Sequence, residues 1–92
     1  MVDVRKAVDK ANEFIKYLFP EPLPDLMLEE VRRSEDDKYW LITLGFNREL
    51  PAANATMRQL LPRFTRAYKV IKVDAESGEP LEMSVREMPV SE

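Results

Sequence analysis

The side chains in this chain that could do chemistry are arginines, lysines and carboxylates, because histidine and cysteine are absent. Without histidine, the chain lacks the commonest general base and nitrogen ligand for metals. Without cysteine, it has neither a disulfide nor a thiolate metal site. Its two glycines, Gly45 and Gly78, are too few for a phosphate-binding loop or a dinucleotide fingerprint. We therefore predict no catalytic residue, no metal ligand and no cofactor.

The densest group of carboxylates is formed by Glu35, Asp36 and Asp37. Neighbouring carboxylates can act as acid and base, or can bind Ca²⁺ or Mg²⁺. Here three consecutive side chains diverge, and the spacing of a calcium-binding loop with its glycine is missing. We interpret the group as a solvated hairpin turn, and an enzyme that uses only carboxylates is the least favoured alternative.

The most uneven distribution of charge is in residues 50–73, which contain no acidic residue. This stretch carries +5, whereas the whole chain carries −3. It could bind an acidic protein surface or a phosphate. Equally, Arg66, Lys69 and Lys72 could pair across strands with Glu82, with Glu87 or with the acidic first hairpin. The negative total argues against nucleic acid as the partner. From the basic stretch we expect the partner to be another protein, one with an acidic surface. The cations are Arg58, Arg63, Arg66, Lys69 and Lys72.

Apolar residues accompany these cations in residues 47–65, a segment too long for a simple turn. Met57, Leu60 and Leu61 have helical spacing and form either a lid over the core or an apolar patch beside the arginines. An exposed patch of that kind is typical of a protein interface. A sheet edge is the other predicted binding surface, and a homodimer formed through such an edge is compatible with both. The predicted partner-binding residues are Met57, Arg58, Leu61, Arg63 and Arg66.

The element that comes first in the chain is an amphipathic helix. Its apolar residues recur at intervals of three and four from Val4 to Leu18, which predicts one buried stripe. Asp3 precedes the stripe as an N-cap, and prolines from Pro20 onward end the helix. The predicted stripe consists of Val4, Ala7, Val8, Ala11, Phe14, Ile15 and Leu18.

Four strands are predicted after the helix, in two hairpins. The first pair spans 26–33 and 39–46, and the second spans 67–74 and 80–88, around a turn that contains Gly78. Trp40, Ile42, Leu44 and Phe46 alternate onto one face of the second strand. The first strand needs a β-bulge near Glu29 to keep its apolar residues in phase.

Between the hairpins, residues 52–61 are rich in helix formers and are flanked by two prolines, which predicts a short helix. The element order is then helix, strand, strand, short helix, strand, strand. A chain of 92 residues is too small to divide further, so we predict one domain over residues 1–92. Its fold class is α+β, with the N-terminal helix packed on a four-stranded antiparallel sheet.

The final hairpin resembles the PepSY family, whose last strands carry a Tyr-x-Val-x-Val-Asp-x-x-Ser/Thr-Gly pattern. The matching residues are Tyr68, Val70 or Ile71, Val73, Asp74, Ser77 and Gly78, preceded by Tyr39, Trp40, Leu41 and Ile42. The resemblance implies a cystatin-like or PepSY-like fold and a noncatalytic module that binds or restrains peptidases or senses ligands. It brings no residue-level binding site, and the 47–65 segment is longer than that family's link.

Together these features predict a small noncatalytic protein-interaction or regulatory module. The alternative is a ligand-sensing domain with a small-molecule pocket between helix and sheet, near Phe14, Trp40 and Tyr68. The N-terminus lacks the apolar run of a secretory signal, and no stretch approaches the ~18 apolar residues of a membrane span. We therefore expect a cytoplasmic protein with no membrane partner.

Overall fold

The computed structural model describes residues 1–49 and 64–86, in which it places one helix and four strands. The strands form one antiparallel sheet in the order β1-β2-β3-β4, and α1 packs on one of its faces. This arrangement confirms the predicted α+β class, with an N-terminal helix on a four-stranded antiparallel sheet. The elements are α1 Val4–Leu18, β1 Met27–Arg33, β2 Tyr39–Glu49, β3 Phe64–Asp74 and β4 Pro80–Val85.

The ends of α1 are set by the residues predicted to set them. The Oδ1 atom of Asp3 accepts a hydrogen bond from the backbone N–H of Lys6 at 2.8 Å, which satisfies a donor of the first turn. At the other end, Phe19 is already extended, and its N–H donates to the carbonyl of Ile15. Pro20 follows at once and cannot continue the helix.

The buried stripe of α1 is narrower than the sequence pattern predicts. Ala7, Ala11 and Ile15 are completely buried. Val4 and Leu18, at the two ends of the pattern, are 42% and 41% exposed. The sheet therefore covers the middle of the helix, and the small side chains of the two alanines let the helix approach it closely.

The core lies between this stripe and alternate residues of the two central strands. Ile42 and Leu44 of β2 and Ile71 and Val73 of β3 are completely buried, and Phe46 is nearly so. The alternation predicted for β2 is thus confirmed. Burial of apolar side chains on both sides of this interface is the main term that stabilises a domain of this size.

Trp40 packs at the margin of the core, close to the N-terminus. Its indole Nε1 donates to the carbonyl of Val2 at 3.2 Å, and the guanidinium of Arg33 lies 4.4 Å from the ring centroid. Val2 in turn donates its N–H to the carbonyl of Ala75. The tryptophan thus anchors the segment that precedes α1 to the sheet.

The ladder between β2 and β3 is longer than predicted. It runs without interruption from Tyr39↔Asp74 to Glu49↔Phe64, whereas the prediction ended the second strand at 46 and began the third at 67. Backbone hydrogen bonds continue the ladder through residues that are mostly polar, so no alternation of apolar side chains signals the extension. The short helix predicted over 52–61, and residues 87–88 of the predicted last strand, lie outside the described residues.

The β-bulge predicted in the first strand is present. Leu28 pairs with Leu44 and Glu30 pairs with Thr43, so Glu29 is the extra residue.

The two turns also follow the predicted chemistry. Gly78 has φ of +78°, and its N–H donates to the carbonyl of Asp74 at 2.8 Å.

The carboxylates of the two turns accept hydrogen bonds from the turns themselves. Asp74 accepts from the backbone N–H of Ser77 and of Glu76, and these bonds lower the pKa of its carboxyl. In the first hairpin, the hydroxyl of Ser34 donates to Asp36, as does the N–H of Lys38, and the pKa of Asp36 is lowered for that reason. The carboxylate of Asp36 therefore closes a turn, as the sequence predicts for this group.

Replacing Ile15 by alanine should lower the free energy of unfolding by about 2–5 kcal/mol, because the cavity opens in the centre of the helix–sheet interface. Leu18→Ala, on the same helix but outside the fully buried stripe, is the matched control and should cost less than about 1 kcal/mol. Urea unfolding followed by circular dichroism measures both. Equal losses would contradict the packing described for α1.

Replacing Asp74 by asparagine should make the free energy of unfolding depend less on pH in the acidic range. Because the folded-state pKa lies below the ordinary value of 3.8, the charged carboxylate stabilises the fold above that pH, and this contribution is lost as the pH falls through the lower value. The variant should be less stable at neutral pH, and its stability should decline less steeply below about pH 4. Urea midpoints across a pH series, with the helix-surface variant Asp9→Asn as control, measure the difference. An unchanged acid slope in Asp74→Asn would contradict it.

Candidate functional site

The sheet face opposite α1, here called the outer face, is covered by long charged side chains. Thr43 and Gly45 lie at its centre and are buried, although no helix or strand among the described residues packs over them. The side chains above them come from β1, β3 and the residue after β4. Charged groups therefore do here what an apolar layer does on the other face.

The bulge in β1 places two consecutive glutamates on the outer face. Glu29 accepts a hydrogen bond from Nη2 of Arg66 at 3.1 Å. Glu30 forms a bidentate pair with Arg86, which also donates to Oγ1 of Thr43 at 3.3 Å. These ion pairs tie the first strand to the third strand and to the end of the fourth, across β2.

Gly45 provides the space in which one of these ion pairs lies. A Cβ atom at this position would lie 2.9 Å from Nη2 of Arg66 and 2.9 Å from Cγ of Glu29. Real Cβ contacts are longer than this, so any larger residue would displace the pair. The glycine is thus part of the outer face, and not only of the strand.

Arg66 is the centre of a wider hydrogen-bond network. Its Nη1 donates to the carbonyl of Asp25 at 2.9 Å and to Oδ1 of Asn47 at 3.1 Å. Asn47 in turn donates from its backbone N–H to the carbonyl of Pro24 and from Nδ2 to the carboxylate of Asp25. The network fixes the proline-rich connector to the end of β2.

This network bears directly on the predicted partner-binding residues. Arg66 forms an ion pair with Glu29 of the first hairpin, and its side chain is only 27% exposed. This contact corresponds to the alternative in which Arg66 pairs within the chain. The other four predicted residues lie outside the described residues, and their role stays a prediction. They are Met57, Arg58, Leu61 and Arg63.

The three residues predicted to surround a ligand pocket do not share one face of the sheet. Phe14 and Trp40 pack against the core on the side of α1. Tyr68 pairs with Gly45 and therefore lies on the outer face. The sheet separates it from the other two, so a pocket between helix and sheet cannot be built from these three side chains.

A groove of about 430 Å³ lies beside β3, where β4 ends. Among the described residues that line it there are four cations and no carboxylate, and the lining also includes Tyr68 and the exposed Val85. Two of the cations are the ion-paired arginines of the outer face. The cations are Arg48, Arg66, Lys69 and Arg86.

The backbone of β3 at this groove has unpaired polar groups on one side, within the described part of the chain. β4 pairs with residues 69–73 of β3. Just beyond this ladder, the N–H of Arg86 donates a hydrogen bond to the carbonyl of Tyr68 at 3.0 Å. N–H and C=O groups of alternate residues point to the same side of a strand, so those of Arg66 also point away from β2. Among residues 1–49 and 64–86, no strand pairs with residues 64–67 on that side. We call these groups the open edge.

Sequence analysis identified the basic stretch but missed the residues that complete the groove. Arg48 precedes the acid-free stretch, and Arg86 lies within the predicted last strand, 80–88, apart from that stretch in sequence. A signal for Arg86 was present, because Glu29 and Glu30 at a bulge both turn outward and require cations. Only the register of the sheet shows which cations those are.

Comparisons of the chain with protein-family models, with curated proteins and with solved structures find no match. Within residues 1–49 and 64–86, no three carboxylates are grouped so that they could hold a metal ion. No helix in that part of the chain has the length and apolar character that crossing a bilayer requires. In the part of the chain that the structure describes, four cations line the groove beside the backbone groups of the open edge.

The ion pair between Arg66 and Glu29 should contribute to stability despite lying at the surface, because both side chains are about three-quarters buried. A double-mutant cycle with Arg66→Met and Glu29→Gln should give a coupling energy of about 1 kcal/mol in urea unfolding. The pair Lys10 and Glu13 on α1, 3.8 Å apart and more exposed, is the control and should couple by less than about 0.5 kcal/mol. Equal coupling in the two pairs would contradict the role given to Arg66.

Proposed function

We propose that this chain is a small noncatalytic, cytoplasmic protein-interaction module that binds an extended segment of another protein at the open edge of β3. The mode is strand addition, in which the partner's backbone pairs with the sheet and extends it. The proposal includes the PepSY-like character suggested by the last hairpin, since that resemblance also implies a binding module.

The observation that carries the proposal is the difference in length between β3 and β4. β3 pairs with β2 along its full length, whereas the described part of β4 pairs with only half of it. Backbone groups at such an edge form hydrogen bonds with an added strand, and the strand they belong to is already rigid. The cation-lined groove lies directly beside these groups.

The edge formed by β1 is a poorer acceptor for an added strand. Its bulge at Glu29 interrupts the regular spacing of backbone donors and acceptors. Glu30 and Arg32 lie along it and form an ion pair with each other. Charges and bulges of this kind protect an edge from pairing.

A second candidate function, ligand sensing, is supported by a different groove. A space of about 380 Å³ lies between the proline-rich connector and the end of β2, lined mainly by apolar side chains that include Phe19, Leu23 and Phe46. Its size suits a small apolar molecule. It lies beyond the C-terminal end of α1 and not between the helix and the sheet.

Selection of random linear peptides on the full chain tests the proposal without a known partner. We expect enriched peptides to shift the amide resonances of Arg66, Ala67 and Tyr68 most strongly in ¹⁵N spectra, and to slow hydrogen exchange at the amide of Arg66. N-methylation of alternate peptide amides is the matched control. Methylation of one alternating set of amides, either the odd-numbered or the even-numbered ones, should abolish binding, and methylation of the other set should leave it intact. Only every second amide of an added strand faces the sheet.

Any of three results would overturn strand addition at this edge. One is the absence of any enriched peptide. Another is binding that shifts resonances elsewhere, and shifts confined to Leu23 and Phe46 would favour the ligand-sensing alternative. The third is an equal loss of binding when either alternating set of peptide amides is N-methylated, which would contradict pairing of the peptide backbone with β3.

A further inference from the structure

We infer that the segment recognised at the open edge is an acidic strand with a carboxylate at every second position, on the side that faces α1. The inference rests on the proposed function, because it assumes that a strand is added there. It specifies the partner's chemistry, which strand addition alone leaves open, since backbone pairing is the same for every sequence.

The four cations of the groove lie on two sides of the sheet. Arg48 lies four residues after the buried Leu44 on β2, and Lys69 of β3 pairs with Leu44. Both cations therefore lie on the side of α1. Arg66 pairs with Asn47 and contacts Glu29, which places it on the outer face, and Arg86 lies there too. An added strand would therefore meet cations on both of its faces.

The two pairs of cations differ in what already neutralises them. Both outer-face arginines are bonded to carboxylates of β1. Arg48 and Lys69 form no ion pair with any carboxylate whose side chain the structure describes, in residues 1–48 and 65–86. Among the described residues, the positive charge that no carboxylate neutralises is thus on the side of α1. Side chains of a strand alternate between faces. Complementarity then requires an acid at every second position and tolerates neutral residues between them.

Protein and not nucleic acid is the occupant that these features favour. The open edge has backbone N–H and C=O groups in register, and an extended peptide satisfies both kinds, whereas a phosphate backbone has no donor to offer the carbonyls. Among the described lining residues Tyr68 is the one aromatic, whereas single-stranded nucleic acid is usually held by several stacking aromatics. The chain as a whole also carries −3.

Two short capped peptides, one alternating glutamate with threonine and the other glutamine with threonine, test the inference on the full chain. The glutamate peptide should bind at least about five-fold more tightly at low salt, and the difference should shrink as salt is added. Lys69→Gln and Arg48→Gln should each reduce the preference. Lys72→Gln is the matched control and should retain it, because Lys72 lies on the same strand but on the outer face, 4.2 Å from the ring of Tyr39.

Equal binding of the two peptides at the amides of Arg66 and Tyr68 would overturn the acidic preference and leave strand addition standing. Failure of both peptides to bind would also overturn the preference, whereas strand addition is judged by the selected random peptides. A loss in Lys72→Gln as large as in Lys69→Gln would show that general charge, and not position, is responsible. A short oligothymidine that displaces the glutamate peptide at equal concentration would overturn the choice of a protein partner.

Discussion

The fold depends on one interface, where a single helix covers one face of a four-stranded sheet. The helix contributes Ala7, Ala11 and Ile15, and the central strands contribute Ile42 and Ile71 among the residues that meet them, all without solvent exposure. One helix is about as wide as two strands, so it can shield β2 and β3 but not both flanking strands. Most of the apolar burial in the described residues is therefore concentrated in the middle of the sheet, and the edges must be held by other means.

The outer face shows how the chain compensates for having no second apolar layer in its described part. Arginine has a long aliphatic stem and a planar head that pairs bidentately with a carboxylate, so it can cover a strand and bridge to the next one. Arg86 does this over Thr43 to reach Glu30. The same ion pairs leave Arg48 and Lys69, on the opposite side, as the cations of the groove without a described acidic partner.

Local patterns predicted the parts of this structure that local physics determines. The period of α1, the cap at Asp3, the alternation in β2 and the positive φ of Gly78 each depend on residues close in sequence. The pairs on the outer face join residues 37 and 56 positions apart, and no local pattern indicates such partners. The ends of β2 and β3 were missed for a related reason, because backbone pairing extends them through residues with polar side chains.

The long β2–β3 ladder also constrains the connection between its two strands. The ladder brings residues 49 and 64 side by side, so the connection that joins them starts and finishes at neighbouring points. The closure of a connection between two such points needs no further ordering of its ends, because the backbone pairing of β2 and β3 already holds them together. The ladder therefore acts as a clamp at the base of this connection, and the position of its two ends is set by the sheet and not by the sequence between them.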